Sequence, residues 1–273
     1  MQKFNYHCHT SHENVFDGQN TPDEMISTYK EKGFTEVGIS NHCIYNRIFE
    51  KIPKEAPSYF HNIDDLVDIH KRCFDLIDES AAKHNIKVYK GMEVDFFQSK
   101  EWRNDFEIIL KKLNPDYVIG ATHFLKSKNN DFICNLYVLD QYPPIPEESM
   151  KELLQNYWKN VVECINSGYF KFVVHPDYCT QYGLSVTPEW DECKYKVIEA
   201  LHRTKTACEI NTKSIRRRGY PSPDWWIVKE LIKKEVPLLI SDDAHGIEDV
   251  GTKFAEVEEK LAEFGCKNRF VSL

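Results

Sequence analysis

Tyr117-Val118-Ile119-Gly120-Ala121-Thr122-His123 is a short apolar run that ends on a histidine, and its length and β-branched content predict a strand. Outward from it, in both directions, the pattern repeats. Comparable runs stand at Phe4–His9, Glu36–Ser40, Lys87–Glu93, Phe170–His175, Ala207–Asn211, Val236–Ser241 and Phe270–Leu273. Helical signals fill the spaces between them. Thr21-Pro22-Asp23-Glu24 supplies an N-cap, a proline at the first helical position and two first-turn acids, and Gly33 closes the segment. Asn62–His84, Glu148–Ser167, Trp190–Arg203, Asp224–Lys234 and Glu248–Phe264 read as further helices. Because each strand needs neighbours for its hydrogen bonds, this alternation predicts one α/β domain over 1–273, either a barrel or a doubly wound sheet. No glycine-rich turn follows any run, which leaves the dinucleotide-binding form of the sheet without support. Cys43–Phe60 and Leu125–Glu147 break the rhythm, the second with Pro143, Pro144 and Pro146, and both are expected to be long surface loops beside the site.

Composition narrows the function classes. The 273 residues are 41% hydrophobic and 29% charged, the balance of a folded chain. With 35 basic against 43 acidic residues the formal charge is −8, and the only dense basic run is Arg216-Arg217-Arg218, so a nucleic-acid partner is not expected. Apolar runs such as Val236-Pro237-Leu238-Leu239-Ile240 fall far short of the roughly 20 residues that cross a bilayer, and Met1–Tyr6 lacks a signal-peptide core. Nine cysteines are scattered without a C-x-x-C pair, which argues against a disulfide framework or a cysteine zinc site and for a reducing, cytoplasmic compartment.

Eleven histidines carry most of the functional information. Six stand at the carboxyl end of a predicted strand or just past it: His7, His9, His42, His123, His175 and His245. In a barrel all those ends face one rim, so residues far apart in sequence converge there. Glu93 and Asp243 share the address. A buried carboxylate among imidazoles is costly unless it binds a cation, and neutral imidazole with ionised carboxylate is the ligand set of zinc, manganese and iron. In His7-Cys8-His9 the two rings stand on alternate residues and can reach one ion. At least eight candidate ligands exceed what one tetrahedral ion takes, so more than one metal is implied.

Taken together, these residues resemble those of the PHP (polymerase and histidinol phosphatase) superfamily. The resemblance rests on His7-x-His9, Ser40-Asn41-His42, Gly91-Met92-Glu93-Val94-Asp95-Phe96, Ala121-Thr122-His123-Phe124, Val174-His175-Pro176-Asp177 and Ser241-Asp242-Asp243-Ala244-His245, in that order over almost the whole chain. It implies a distorted (β/α)7 TIM-like barrel with two to three divalent ions (Zn, Mn or Fe) at the carboxyl ends of the strands. Carried over by position, His7, His9, Glu93 and Asp243 would hold one ion, Glu93 would bridge to a second on His123 and His175, and Asp17, His42 and His245 would take a third. His12 competes with Asp17, and Asp242 with Asp243. The catalytic set implied is Glu93, Asp243, Asp17 and His245, with Asp17 or a metal-bound water as source of the leaving-group proton.

Gly91–Phe96, Asp116–Phe124 and Glu209-Ile210-Asn211-Thr212 resemble the histidinol-phosphate phosphatase branch. That branch implies a phosphomonoesterase acting on L-histidinol phosphate, a small-molecule ester, in histidine biosynthesis, with Arg216 as a phosphate-binding residue. The branch tends to place another basic residue shortly after His175, where this chain has Tyr178-Cys179-Thr180-Gln181, so a second phosphate contact would come from Arg47, Lys126 or Arg217. Rival readings are a PHP phosphoesterase with a different small ester or nucleotide, an amidohydrolase-type enzyme, which the absence of a lysine ending a middle strand disfavours, and an inactive PHP-like scaffold. Apolar residues on the outer helices could serve a homodimer or be ordinary surface.

Overall fold

The protein was analysed as a computed structural model that describes residues 2–51, 62–128, 132–267, 269 and 273. Seven strands form its centre: β1 (Phe4–Asn5), β2 (Glu36–Ile39), β3 (Lys87–Asp95), β4 (Tyr117–Ala121), β5 (Phe172–Val173), β6 (Ala207–Asn211) and β7 (Leu238–Ser241). Each pairs in parallel with the next in sequence, so the sheet runs β1 to β7 in order. Sequential parallel strands with crossover helices curl into a barrel.

The seam between β7 and β1 is closed largely by side chains and loop backbone. Gln2 imitates a strand partner: its amide Nε2 donates to Ile240 O at 2.6 Å and its Oε1 accepts from Ile240 N at 3.0 Å. Farther along, Asn5 Oδ1 accepts from Asp242 N, Asp243 N donates to His7 O at 3.0 Å, and His9 N donates to Ala244 O at 2.8 Å. The result is a nearly closed TIM-like barrel.

The helices are α1 (Pro22–Glu31), α2 (Ile63–His84), α3 (Lys100–Leu113), α4 (Glu147–Asn166), α5 (Asp191–Thr204), α6 (Lys213–Arg218), α7 (Trp225–Lys233) and α8 (Phe254–Glu263). In α1 the expected start is present as a capping box, Thr21 Oγ1 accepting from Glu24 N while Glu24 Oε2 accepts from Thr21 N at 2.8 Å. Three readings need correction. The last helix covers less than Glu248–Phe264, because 248–253 are turns that lead to a left-handed Lys253. The stretch Leu125–Glu147 is not irregular throughout: Phe124–Lys126 and Ile133–Asn135 form an antiparallel hairpin, followed by a 3₁₀ turn at Leu136–Gln141. The sequence pattern also left α3 unassigned. Much of Cys43–Phe60 and most of the run Phe270–Leu273 lie outside the described residues.

Side chains on alternate strand positions divide into two cores. Tyr6, Tyr117, Ile119, Ala121, Phe172, Val174, Ala207 and Leu239 cluster on one face of the sheet. A larger core joins the other face to the helices. The Tyr117 ring fills space that side chains at Gly38 and Gly91 would occupy, since a Cβ on either glycine would lie 2.3 Å from it. Its hydroxyl donates to Tyr6 O at 2.8 Å. Glu93 and Glu209 stand at even spacing from Gly91 and Ala207 on the same face, so the polar site continues the face that the aromatic layer begins. All nine cysteines are free, and no helix among the described residues is long and apolar enough to cross a membrane.

Candidate metal centre

Several barrel strands deliver their functional group where regular pairing ends, while Glu93 and Glu209 stand within paired strand. After β2 the chain breaks step, with Glu93 N donating to both Ser40 O and Asn41 O, and pairing resumes with His42 opposite Glu93. This bulge-like break turns His42 into the site. Beyond β5 and β7, His175 (φ 28°) and Asp243 (φ 48°) hold left-handed backbone conformations that non-glycine residues seldom adopt. Both are pinned by backbone N–H groups, His175 N donating to Glu209 Oε2 at 3.0 Å and Asp243 N to His7 O. Asp17 arrives from a small hairpin, Ser11–His12 paired with Phe16–Asp17.

The nine proposed ligands converge. His7 Nε2 lies 3.5 Å from Glu93 Oε1 and 3.7 Å from Asp243 Oδ1, and His9 Nε2 lies 3.4 Å from Glu93 Oε2 and 3.4 Å from Asp243 Oδ1. A tetrahedral ion with ligands at about 2.1 Å sets its donor atoms roughly 3.4 Å apart. His123 Nε2 and His175 Nε2 stand 3.4 and 2.9 Å from Glu93 Oε1 on the other side of the same carboxylate. His245 Nε2 and His42 Nε2 stand 3.1 and 3.5 Å from Asp17 Oδ2. The donor atoms fall into groups able to hold an ion: His7, His9 and Asp243; His42, Glu93 and His123; His9, Asp17, His42 and His245; and His7, His175 and Glu209. His42 thus faces Glu93 with Nδ1 (2.8 Å) and Asp17 with Nε2. His12 lies apart, near Glu13.

Carboxylates behind the rings set their tautomers. His7 Nδ1 donates to Glu209 Oε1 at 2.6 Å and His123 Nδ1 to Asp95 Oδ2 at 2.9 Å, which leaves the Nε2 lone pair of each ring aimed at Glu93. His7 Nε2, both ring nitrogens of His9 and Glu93 Oε2 are buried without a hydrogen bond. Buried polar atoms left this way are expensive, and a cation among them removes the cost, so the donor set fits a divalent ion.

Electrostatics points the same way. Burial acts to raise the Glu93 carboxyl, yet His42, His7 and His123 overcome it and hold it well below its usual range. Asp243 is likewise kept ionised against its burial by Lys213 and His7. His9 is pushed down to about 3 by burial and by its neighbours His245 and His42, leaving the neutral ring that a ligand requires. For His7 and His42 burial lowers the pKa, but Glu209 and Asp243, and Asp17 and Glu93, raise it above the ordinary value. A cation bound there would replace a proton on either ring, so ion binding would be favoured as pH rises.

Arg216 binds the backbone next to Asp243 rather than the donor atoms themselves. Its Nη1 donates to Thr252 Oγ1 at 2.8 Å and Asp242 O at 3.2 Å, and its Nη2 pairs with Asp249 at 3.0 Å. Asp242 is fully buried, accepting from Tyr29 OH, Ala244 N and Gly251 N, and burial pushes its carboxyl up to about 6. Arg47 makes a two-point pair with Asp105. Lys126 lines a cavity of about 210 Å³ that also borders Asp95, and Arg217 is exposed. Glu209, Asp95 and Asn211 enter the sequence pattern only as parts of motifs, with no role given at the site, and Lys213 does not enter it. Asn211 Nδ2 donates to both Glu209 and Asp243, and Lys213 Nζ is 3.1 Å from Asp243 Oδ1. The signals for Glu209 and Asp95 are their places in the family motifs and their even spacing on strands that lead to the rim.

A barrel that gathers histidines and carboxylates from successive strand ends defines a class of metal-site α/β proteins. A profile of the PHP domain matches residues 5–213, and the chain belongs to that family. A Deinococcus radiodurans protein named "Probable histidinol-phosphatase" is 26% identical over 191 residues, 68% of this chain and 68% of that protein. Among solved structures, a candidate histidinol phosphatase HisK from Listeria monocytogenes superposes with a TM-score of 0.76 at 18% identity, covering 93% of this chain and 99% of the other. Histidinol phosphate phosphatase from Lactococcus lactis, complexed with zinc, L-histidinol and phosphate, gives a TM-score of 0.71 at 14% identity over 100% and 97% of the two chains. These structural likenesses concern the fold.

Proposed function

We propose that this chain is a metal-dependent phosphomonoesterase that hydrolyses L-histidinol phosphate to L-histidinol and phosphate. The observation that carries the reading is the buried donor group His7, His9 and Asp243, with the Glu93 carboxylate beside it, 3.5 Å from His7 through Oε1 and 3.4 Å from His9 through Oε2. Glu93 would bridge to the ion on His123 and His175, and Asp17, His42 and His245 would take a further ion at the exposed edge. Two to three divalent ions, Zn, Mn or Fe, would supply acidified water and neutralise phosphoryl oxygens.

The protein's own groups do the rest. Glu209 and Asp95 fix the rings of His7 and His123 so that each offers Nε2. His7, His9 and Glu93 are at most 1% exposed, whereas the side chains of Asp17 and His245 are 42% and 16% exposed, so substrate enters over the Asp17–His245 edge. Burial acts to raise the Asp17 carboxyl, but His42 and His245 hold it far below its usual range, which suits a ligand or proton acceptor rather than the acid for the leaving alkoxide. Tyr178 packs against His123 and His175, with ring centroids 4.6 and 5.0 Å away, and walls the inner side.

The names of the relatives support the substrate, and the family supports the reaction class. One observation favours a related reading with a different small phosphate ester: Arg216 is engaged by Asp249, and no basic residue closely follows His175. Phosphate release from L-histidinol phosphate, p-nitrophenyl phosphate and a nucleoside monophosphate, with Mn²⁺ or Zn²⁺ added, separates the two. A kcat/KM for L-histidinol phosphate of about 10⁴ M⁻¹s⁻¹ or more, well above the others, is expected. Equal and weak rates on all three would overturn the substrate.

A further inference from the structure

We infer that Lys213 is the phosphate-binding cation of this site, an inference that rests on the metal-centre reading above. Arg216 pairs with Asp249, Thr252 and Asp242 O, and Arg47 with Asp105, whereas the carboxylate that Lys213 pairs with, Asp243, itself belongs to the donor cluster. Lys213 is at the centre itself. Its Nζ lies 3.1 Å from Asp243 Oδ1 and 3.1 and 3.4 Å from the two ring nitrogens of His245.

Its placement matches the route a substrate takes. Lys213 is 17% exposed, beside His245 at 16%, His42 at 16% and Asp17 at 42%, while the inner ligands are sealed. It therefore stands at the mouth, where an anion seated on the metal edge presents its outer oxygens. A lysine suits this place, since its ammonium is a compact point charge on a flexible stem and can leave Asp243 for a phosphate oxygen without moving the backbone. Asp243 keeps its position when the lysine leaves, because its other oxygen still accepts from Asn211 Nδ2 at 3.1 Å. The sequence supports the assignment locally: Lys213 follows directly on β6 and Thr212, so its backbone is fixed by Thr212 N donating to Ser241 O.

Inorganic phosphate is the probe. It would be titrated calorimetrically into Mn²⁺-loaded wild type, Lys213→Gln, Lys213→Arg and Arg216→Gln, with metal content measured on each sample. The expected result is a loss of phosphate affinity of about tenfold or more in Lys213→Gln, with metal content unchanged, substantial retention in Lys213→Arg, and wild-type affinity in Arg216→Gln. Unchanged phosphate affinity in Lys213→Gln overturns the inference, as does a loss of phosphate that follows a loss of metal. Wild-type protein that takes up no metal overturns the metal-centre reading itself, a result distinct from either.

Discussion

At the scale of single residues, the carboxylates behind the ligands decide how well the ligands work. Glu209 accepts from His7 Nδ1 and from His175 N, so one side chain orients one ring and holds the strained backbone of another. Glu209→Gln keeps the shape but offers a single carbonyl oxygen where two oxygens now accept. It should weaken metal affinity by roughly 10–100-fold while leaving far-UV circular dichroism unchanged. Metal titration checks this, and wild-type affinity would assign Glu209 to packing alone. The histidines that gather at the rim were legible because they end apolar runs, whereas Glu209 and Asp95, which enter the sequence pattern only within family motifs, lie inside such runs and show what they touch only once the strands are placed side by side. Arg216 shows the reverse case: its position matches a family pattern, while its pairing with Asp249, a partner distant in sequence, appears only in the fold.

His70 offers a residue-scale test outside the centre. Buried in α2, with Nδ1 donating to Leu66 O, it is pushed down to about 4 mainly by burial. The unfolded chain takes up that proton near pH 6.5, so the contribution is full above 6.5 and is lost as the pH falls toward 4. Over that window it amounts to about 3 kcal/mol. In His70→Leu the fall in denaturation free energy between pH 6.5 and 4 should be smaller than in wild type by an amount of this order, and parallel curves would refute the assignment.

Elements obey constraints that no single residue shows. The alternation of strand and helix could be read from the sequence, since the apolar runs and capping residues are local signals. The hairpin within Leu125–Glu147 could not, because its strands are three residues each and pair only with one another. The glycines of β2 and β3 belong to this scale as well: they are small because β4, next to β3 and two strands from β2, sends Tyr117 into their space. Gly91→Ala should cost about 1–3 kcal/mol by overpacking, seen as a lower Tm, and an unchanged Tm would mean that the ring moves freely.

For the whole molecule, the buried donors couple metal to stability. An ion bound among them would satisfy their facing lone pairs and charges in the folded protein and not in the unfolded chain, so chelation should lower Tm and Mn²⁺ or Zn²⁺ should restore it. At an ion concentration a thousandfold above Kd the effect is about 4 kcal/mol. A Tm indifferent to chelator, in protein whose metal content has been measured before and after, would contradict the coupling.

The seam between β1 and β7 has a further consequence, in the order of synthesis. His7 and His9 leave the ribosome among the first residues of this domain, and Asp243 and His245 among the last. Until β7 docks against Gln2 and Asn5, the nascent chain exposes half a coordination sphere, two imidazoles on one strand, with nothing to close it. Domains generally assemble as units during translation, so the choice of metal falls at the end of that process rather than its beginning. An ion that binds the centre would then be one available to a chain that has already folded.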